Sequence, residues 1–108
     1  MQLPLQITFR NLPPSDAIAA RITQQSEKLS RYCNRIMRCH VVVEAPHQNH
    51  RHGNIYQVRI NLSLPGEELV INQNPAQNHA YENLYVTIRD AFNAAKRKLK
   101  RYTAVQKV

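Results

Sequence analysis

The sequence predicts an α+β domain with the element order β-α-β-β-β-α. Two observations carry this. Between Tyr56 and Leu64, apolar residues recur at every second position, the period of a half-buried strand. Between Leu84 and Tyr102, they recur at helical spacing, at Leu84, Ile88, Ala91, Ala95, Leu99 and Tyr102. The remaining segments alternate between the same two periods, without repeats or linkers. A chain of 108 residues suits one domain, taken here as 1–108.

In the first strand, Leu5, Ile7 and Phe9 alternate with Gln6, Thr8 and Arg10. Asn11, Leu12, Pro13 and Pro14 end it. Ser15 or Asp16 is the expected N-cap of a first helix, running to about Ser30. Ile18, Ile22, Leu29 and Tyr32 form its narrow apolar stripe, interrupted by Gln25. Arg21, Lys28 and Arg31 share one flank, a solvated flank unless it joins a second basic surface.

A second strand places Met37, Cys39, Val41 and Val43 on one face, with Arg38, His40, Val42 and Glu44 on the other. Residues Pro46 to Asn54 read as a polar loop. The third strand has Tyr56, Val58, Ile60, Leu62 and Leu64 inward. Pro65 and Gly66 then fit the central positions of a type II turn. A fourth strand carries Leu69 and Ile71 inward, and Asn72 to Ala80 reads as a loop. The last helix spans Glu82 to Lys107.

The three later strands form an antiparallel meander, and the first joins it in parallel through its helix, giving a four-stranded mixed sheet. With one apolar face per strand, both helices are expected on the same side. The other side carries Gln6, Thr8, Arg10, Arg38, His40, Arg59 and Asn61.

Charge separates the function classes. The chain holds 15 Lys plus Arg against 7 Asp plus Glu, a net +8. That exceeds what solubility requires at this size and favours a polyanionic partner. The excess is concentrated: Lys96 to Arg101 contains five basic residues in six. From Arg89 to Lys107 there are seven basic residues and one acidic one, Asp90. Solvated helix faces mix signs at i,i+4, whereas here like charges recur over successive turns. Cations near the helix C-terminus also suit its dipole, but Arg89 lies near the other end. Lys96, Arg97 and Lys100, with Arg89 and Arg101, are therefore candidate phosphate contacts. A rigid basic helix beside a sheet suits backbone and shape recognition of structured RNA.

Other chemistries find little support. His47, His50 and His52 share one loop, with Gln and Asn between them and no Cys, Asp or Glu nearby, so a solvated loop is favoured over a metal site. Cys39 and His40 are strand neighbours and face opposite ways, which rules out a nucleophile-base pair. Cys39 reads as a buried hydrophobe and Cys33 as a free thiol. With only two glycines, a phosphate-binding glycine loop is not expected. Glu67 and Glu68 read as exposed turn carboxylates. No enzyme activity and no cofactor is expected. The sequence shows neither a secretory signal nor a membrane-spanning run, so a cytoplasmic protein with reduced thiols is expected.

Several segments are similar to one family: Arg10-Asn11, Glu27-Lys28-Leu29, His40 to Glu44, Leu64 to Leu69, Leu84 to Ile88, and Arg97 to Tyr102. Their order and spacing resemble the ribosome hibernation-promoting factor and ribosome-associated inhibitor group, also described as sigma-54 modulation protein-like. The resemblance covers nearly the whole chain. It implies a fold like that of double-stranded-RNA-binding domains. It implies a stress or stationary-phase factor of bacteria that binds the small ribosomal subunit in the decoding region and holds ribosomes inactive. Its rRNA contacts would include Lys28, Arg97, Lys100 and Arg101, with Arg10, Arg59 and Lys96 as additions. Arg21 joins this set if the flank of the first helix meets the basic face of the second. The family usually has an acidic residue where this chain has Arg89 and often a basic one at Ala94. Lacking the C-terminal dimerisation domain of long members and the extended tail of the inhibitor subgroup, the chain looks like the short type. It would be monomeric off the ribosome and would need another factor to take part in ribosome pairing. The alternatives are a general structured-RNA binder and a regulator of a transcription factor.

Overall fold

A computed structural model describes residues 4–47, 55–73 and 84–106. Its elements are β1 (Leu5–Arg10), α1 (Asp16–Tyr32), β2 (Arg38–His47), β3 (Ile55–Leu64), β4 (Glu67–Gln73) and α2 (Leu84–Gln106). The sheet order is β1-β2-β3-β4, with β1 parallel to β2 and the other pairs antiparallel. This is the expected α+β arrangement.

Local chemistry sets the boundaries. β1 stops at Asn11, whose φ of 60° lies in the left-handed region that Asn tolerates better than most residues. Ser15 caps α1, its Oγ accepting from the Ile18 N–H at 3.3 Å. At the other end, the Cys33 N–H donates to the Leu29 carbonyl at 2.9 Å. Gly66, at φ 76°, supplies the positive φ required after Pro65 in the turn from β3 to β4. The Tyr102 hydroxyl reaches the Pro65 carbonyl at 3.3 Å and ties α2 to that turn.

β2 runs beyond the expected start of the loop, through Pro46 to His47. The register explains why a proline is tolerated there. Arg10, the last residue of β1, pairs with Glu44, and a register shift against β3 follows between Glu44 and His47. Pro46 thus sits past the end of one neighbour and at an irregularity with the other, where its missing N–H breaks no regular ladder. β4 likewise takes in Glu67, Glu68, Asn72 and Gln73. The rest of the loop from Asn72 to Ala80 and the segment carrying His50 and His52 lie outside the described residues, as does Glu82.

The core forms between one sheet face and both helices. Register stacks Cys39 against Leu62, Val41 against Ile60 and Val43 against Val58, all fully buried. Ile22 from α1 and Ile88, Ala91, Ala95 and Leu99 from α2 cover them, also at 0% exposure. α1 touches β1 and α2, while α2 lies over β3 and β4. Phe92 and Thr87 join the buried stripe of α2, and Ser26 takes the α1 position beside the interrupting Gln25. The Ser26 hydroxyl donates to the Thr23 carbonyl at 2.9 Å, which makes its burial tolerable. Two expectations are corrected, for Met37 and Tyr32. Met37 precedes β2 and is 60% exposed, with Ile36 buried in its place. Tyr32 is 40% exposed and does not complete the α1 stripe. Cys33 is a free thiol, as expected, and is buried in the core.

Candidate nucleic-acid interface

Two contacts fix how the helices lie against each other. The Arg21 guanidinium sits 5.3 Å from the centre of the Tyr85 ring, and Lys96 Nζ sits 5.3 Å from that of Tyr32. Each helix advances eleven residues between the two contacts, so α1 and α2 run parallel. Lys28 precedes Tyr32 by one turn, on the flank that carries Arg21. The basic flank of α1 therefore meets the basic face of α2, which brings Arg21 onto the same surface as Lys96.

The helix-covered side gathers seven candidates: Arg21, Lys28, Arg89, Lys96, Arg97, Lys100 and Arg101. All seven are exposed. Arg89 is held by its neighbour, its Nη2 lying 3.3 Å from Asp90 Oδ1. Such an exposed pair is weak, but Asp90 offsets the Arg89 charge at that end. Among the described residues, Lys96, Arg97, Lys100 and Arg101 have no ion pair. They form a ridge: Lys96 and Lys100 lie one turn apart, and Arg97 and Arg101 repeat the spacing on the next stripe.

Lys98 differs from its neighbours. Its Nζ donates to the Val70 carbonyl of β4 at 2.8 Å. Composition cannot separate Lys98 from Lys96; only the seat of α2 over β4 does so.

Arg10 and Arg59 lie on the opposite, helix-free face of the sheet. There the rows read Gln6, His40, Asn61, Val70 and then Thr8, Val42, Arg59, Asn72. Arg10 stands beside Glu44, its register partner. Arg10 and Arg59 border a shallow polar depression of about 210 Å³ with Val42, Glu44, Gln57 and Asn72. Thr8 Oγ1 and His40 Nε2 are 3.0 Å apart. The nine candidates thus form two surfaces, one dense and cationic, the other sparse and mixed.

Sequence reasoning missed Tyr32 and Tyr85 as parts of this surface. The signal was present for Tyr85, which lies off the stripe of Leu84 and Ile88 and one turn from Arg89.

Burial pushes the Cys39 thiol up from 9.0 to about 12, so it is no nucleophile. Among the described residues no helix is long and apolar enough to cross a membrane.

The family model for sigma 54 modulation protein / S30EA ribosomal protein matches residues 5–107. The fold is similar to that of a ribosomal subunit interface protein from Coxiella burnetii, with a TM-score of 0.74 at 16% identity over 94% of this chain and 99% of that one. It is also similar to the N-terminal domain of Protein Y from Thermus thermophilus, with a TM-score of 0.68 at 24% identity over 94% of this chain and 99% of that one. Comparison with curated protein sequences gives no match.

Proposed function

The chain belongs to the sigma 54 modulation protein / S30EA ribosomal protein family, and we propose that it is a non-catalytic, cytoplasmic translation inhibitor that silences ribosomes. Membership makes it a ribosome-associated protein. On our reading it occupies the decoding region of the small subunit and keeps messenger and transfer RNA out by occlusion.

The observation that carries this reading is the ridge of Lys96, Arg97, Lys100 and Arg101, without ion pairs among the described residues and continued by Lys28 across the groove. Cations so placed release counterions when they meet phosphates, and this supplies most of the affinity. The buried stripe of α2 fixes the ridge on a rigid support, so little backbone freedom is lost on binding. Arg10 and Arg59, on the far face, would meet a second wall of rRNA if the domain sits in a cleft.

Changing Lys96→Glu, Arg97→Glu and Lys100→Glu together is expected to abolish cosedimentation with purified small subunits while circular dichroism stays native. Unchanged cosedimentation would remove the ridge from the binding surface. Competition between duplex RNA and intact subunits separates this reading from general RNA binding. A pull-down that survives nuclease treatment would favour a protein partner. The stress role predicts that the protein comigrates with ribosomes in sucrose gradients of stationary-phase lysate.

A further inference from the structure

We propose that the groove between α1 and α2 holds unpaired RNA nucleotides, with bases stacked at Tyr85–Arg21 and at Tyr32–Lys96. This rests on the ribosome reading and adds to it a preference for single-stranded RNA.

Among the exposed large hydrophobics of the described residues, which also include Met37 and Val70, only the two tyrosines carry a ring. They are 42% and 40% exposed, on a domain whose core is complete without them. Each sits beside a cation from the opposite helix at the same 5.3 Å. Aromatic rings interleaved with cations are what a single strand needs: π-faces for bases and positive charge for the phosphates between them. The Arg21–Tyr85 pair offers a layered platform, since a guanidinium plane also stacks on a base.

There is room beside it. An open concavity of about 560 Å³ is lined by Ala17, Ala20, Arg21, Gln24 and Tyr85. The two alanines keep it wide, and the Gln24 amide brings a donor and an acceptor to the rim, where a base edge would lie. Eleven residues of helix separate the two platforms, on the order of 16 Å at about 1.5 Å per residue. That is about five stacked nucleotide steps of ~3.4 Å. Lys28 and Arg89 fall between the platforms along their helices and, on this proposal, meet the intervening phosphates. In a duplex the bases are paired and stacked on one another, so an unpaired strand is what can offer base faces to both rings.

A purely structural role would have the rings only pin the helices together. Fluorescence separates the two. The chain contains no tryptophan, so Tyr85→Trp makes a single reporter. The probe is an oligoribonucleotide of about eight unpaired residues, compared with a duplex of the same length. Quenching of the introduced indole by the single strand and not by the duplex is expected. Tyr85→Leu and Tyr32→Leu, which keep bulk but lose the ring, should each weaken single-strand binding about tenfold. Tyr85→Phe should keep binding within about twofold, and the melting temperatures of all variants should stay close to that of the parent.

Absence of quenching, or a Leu variant that binds like the parent, overturns the stacking inference. If the glutamate variants of the ridge still lose the small subunit in that case, the ribosome reading stands without it. If ridge variants bind small subunits normally, the ribosome reading itself fails.

Discussion

Replacing Arg97, Lys100 and Arg101 by Ala should weaken ribosome binding and stabilise the fold at the same time. These side chains are exposed and have no ion pair among the described residues. Their replacement removes like-charge contacts at i,i+4 between Arg97 and Arg101 and between Lys96 and Lys100, and at i,i+3 between Arg97 and Lys100 and between Lys98 and Arg101. Each such contact costs about 0.2–0.5 kcal/mol in a helix. All three positions precede the last turn of α2, which ends at Gln106, so little dipole stabilisation is lost. Alanine is also the best helix former. The variant should therefore be more stable by about 1 kcal/mol, a rise of roughly 4–8 °C in Tm for a domain near this size. Binding should respond in the opposite direction. Each phosphate contact adds about 0.7–0.9 to the slope of log K against log salt, so three lost contacts should flatten it by roughly 2–2.7. The assays are thermal melting and equilibrium binding to small subunits between about 50 and 200 mM salt. An unchanged slope would show that the ridge does not meet phosphate. Weaker binding with a lower Tm would show that these cations support the fold instead.

Three further predictions follow from single contacts. Lys98→Ala should leave the salt slope unchanged, because Lys98 already donates to the Val70 carbonyl; it should cost about 0.5–1.5 kcal/mol in denaturant melts. By freeing the β4 edge it should also promote self-association, visible in sedimentation velocity. Leu99→Ala removes a fully buried side chain between α2 and the sheet and should cost about 2–5 kcal/mol in urea unfolding. The Cys39 thiol, pushed up to about 12, keeps its proton in the fold between pH 9 and 12 while the unfolded chain loses it. Stability should therefore fall with rising pH across that window, and Cys39→Ala should reduce this component of the fall in alkaline denaturant titrations.

The fold was legible because its two periods are cleanly written. Alternation from Tyr56 to Leu64 and the stripe from Leu84 to Tyr102 each specify one buried face, and the apolar faces can be covered only by packing on each other. The errors fall where the outcome depends on neighbours. Pro46 reads as a strand breaker, and it continues β2 only because β1 has already ended at Arg10. Met37 fits the alternation but lies before the strand, so Ile36 is buried instead. The cationic ridge was legible too, since i,i+4 spacing is enough to gather it. The divisions within it were not. Lys98 is taken up by the β4 backbone, Arg89 is held by Asp90, and Tyr32 and Tyr85 receive cations from the other helix. Except for the pair of neighbours Arg89 and Asp90, these are tertiary contacts, set by how α2 sits over the sheet and beside α1.

Chemical footprinting of small-subunit rRNA shows whether the protein reaches the decoding region. The protein should shield nucleotides there, and the Lys96→Glu, Arg97→Glu, Lys100→Glu variant should leave them reactive at the same concentration. Protection confined to another part of the subunit, or an identical footprint from the charge-reversed variant, would contradict this reading.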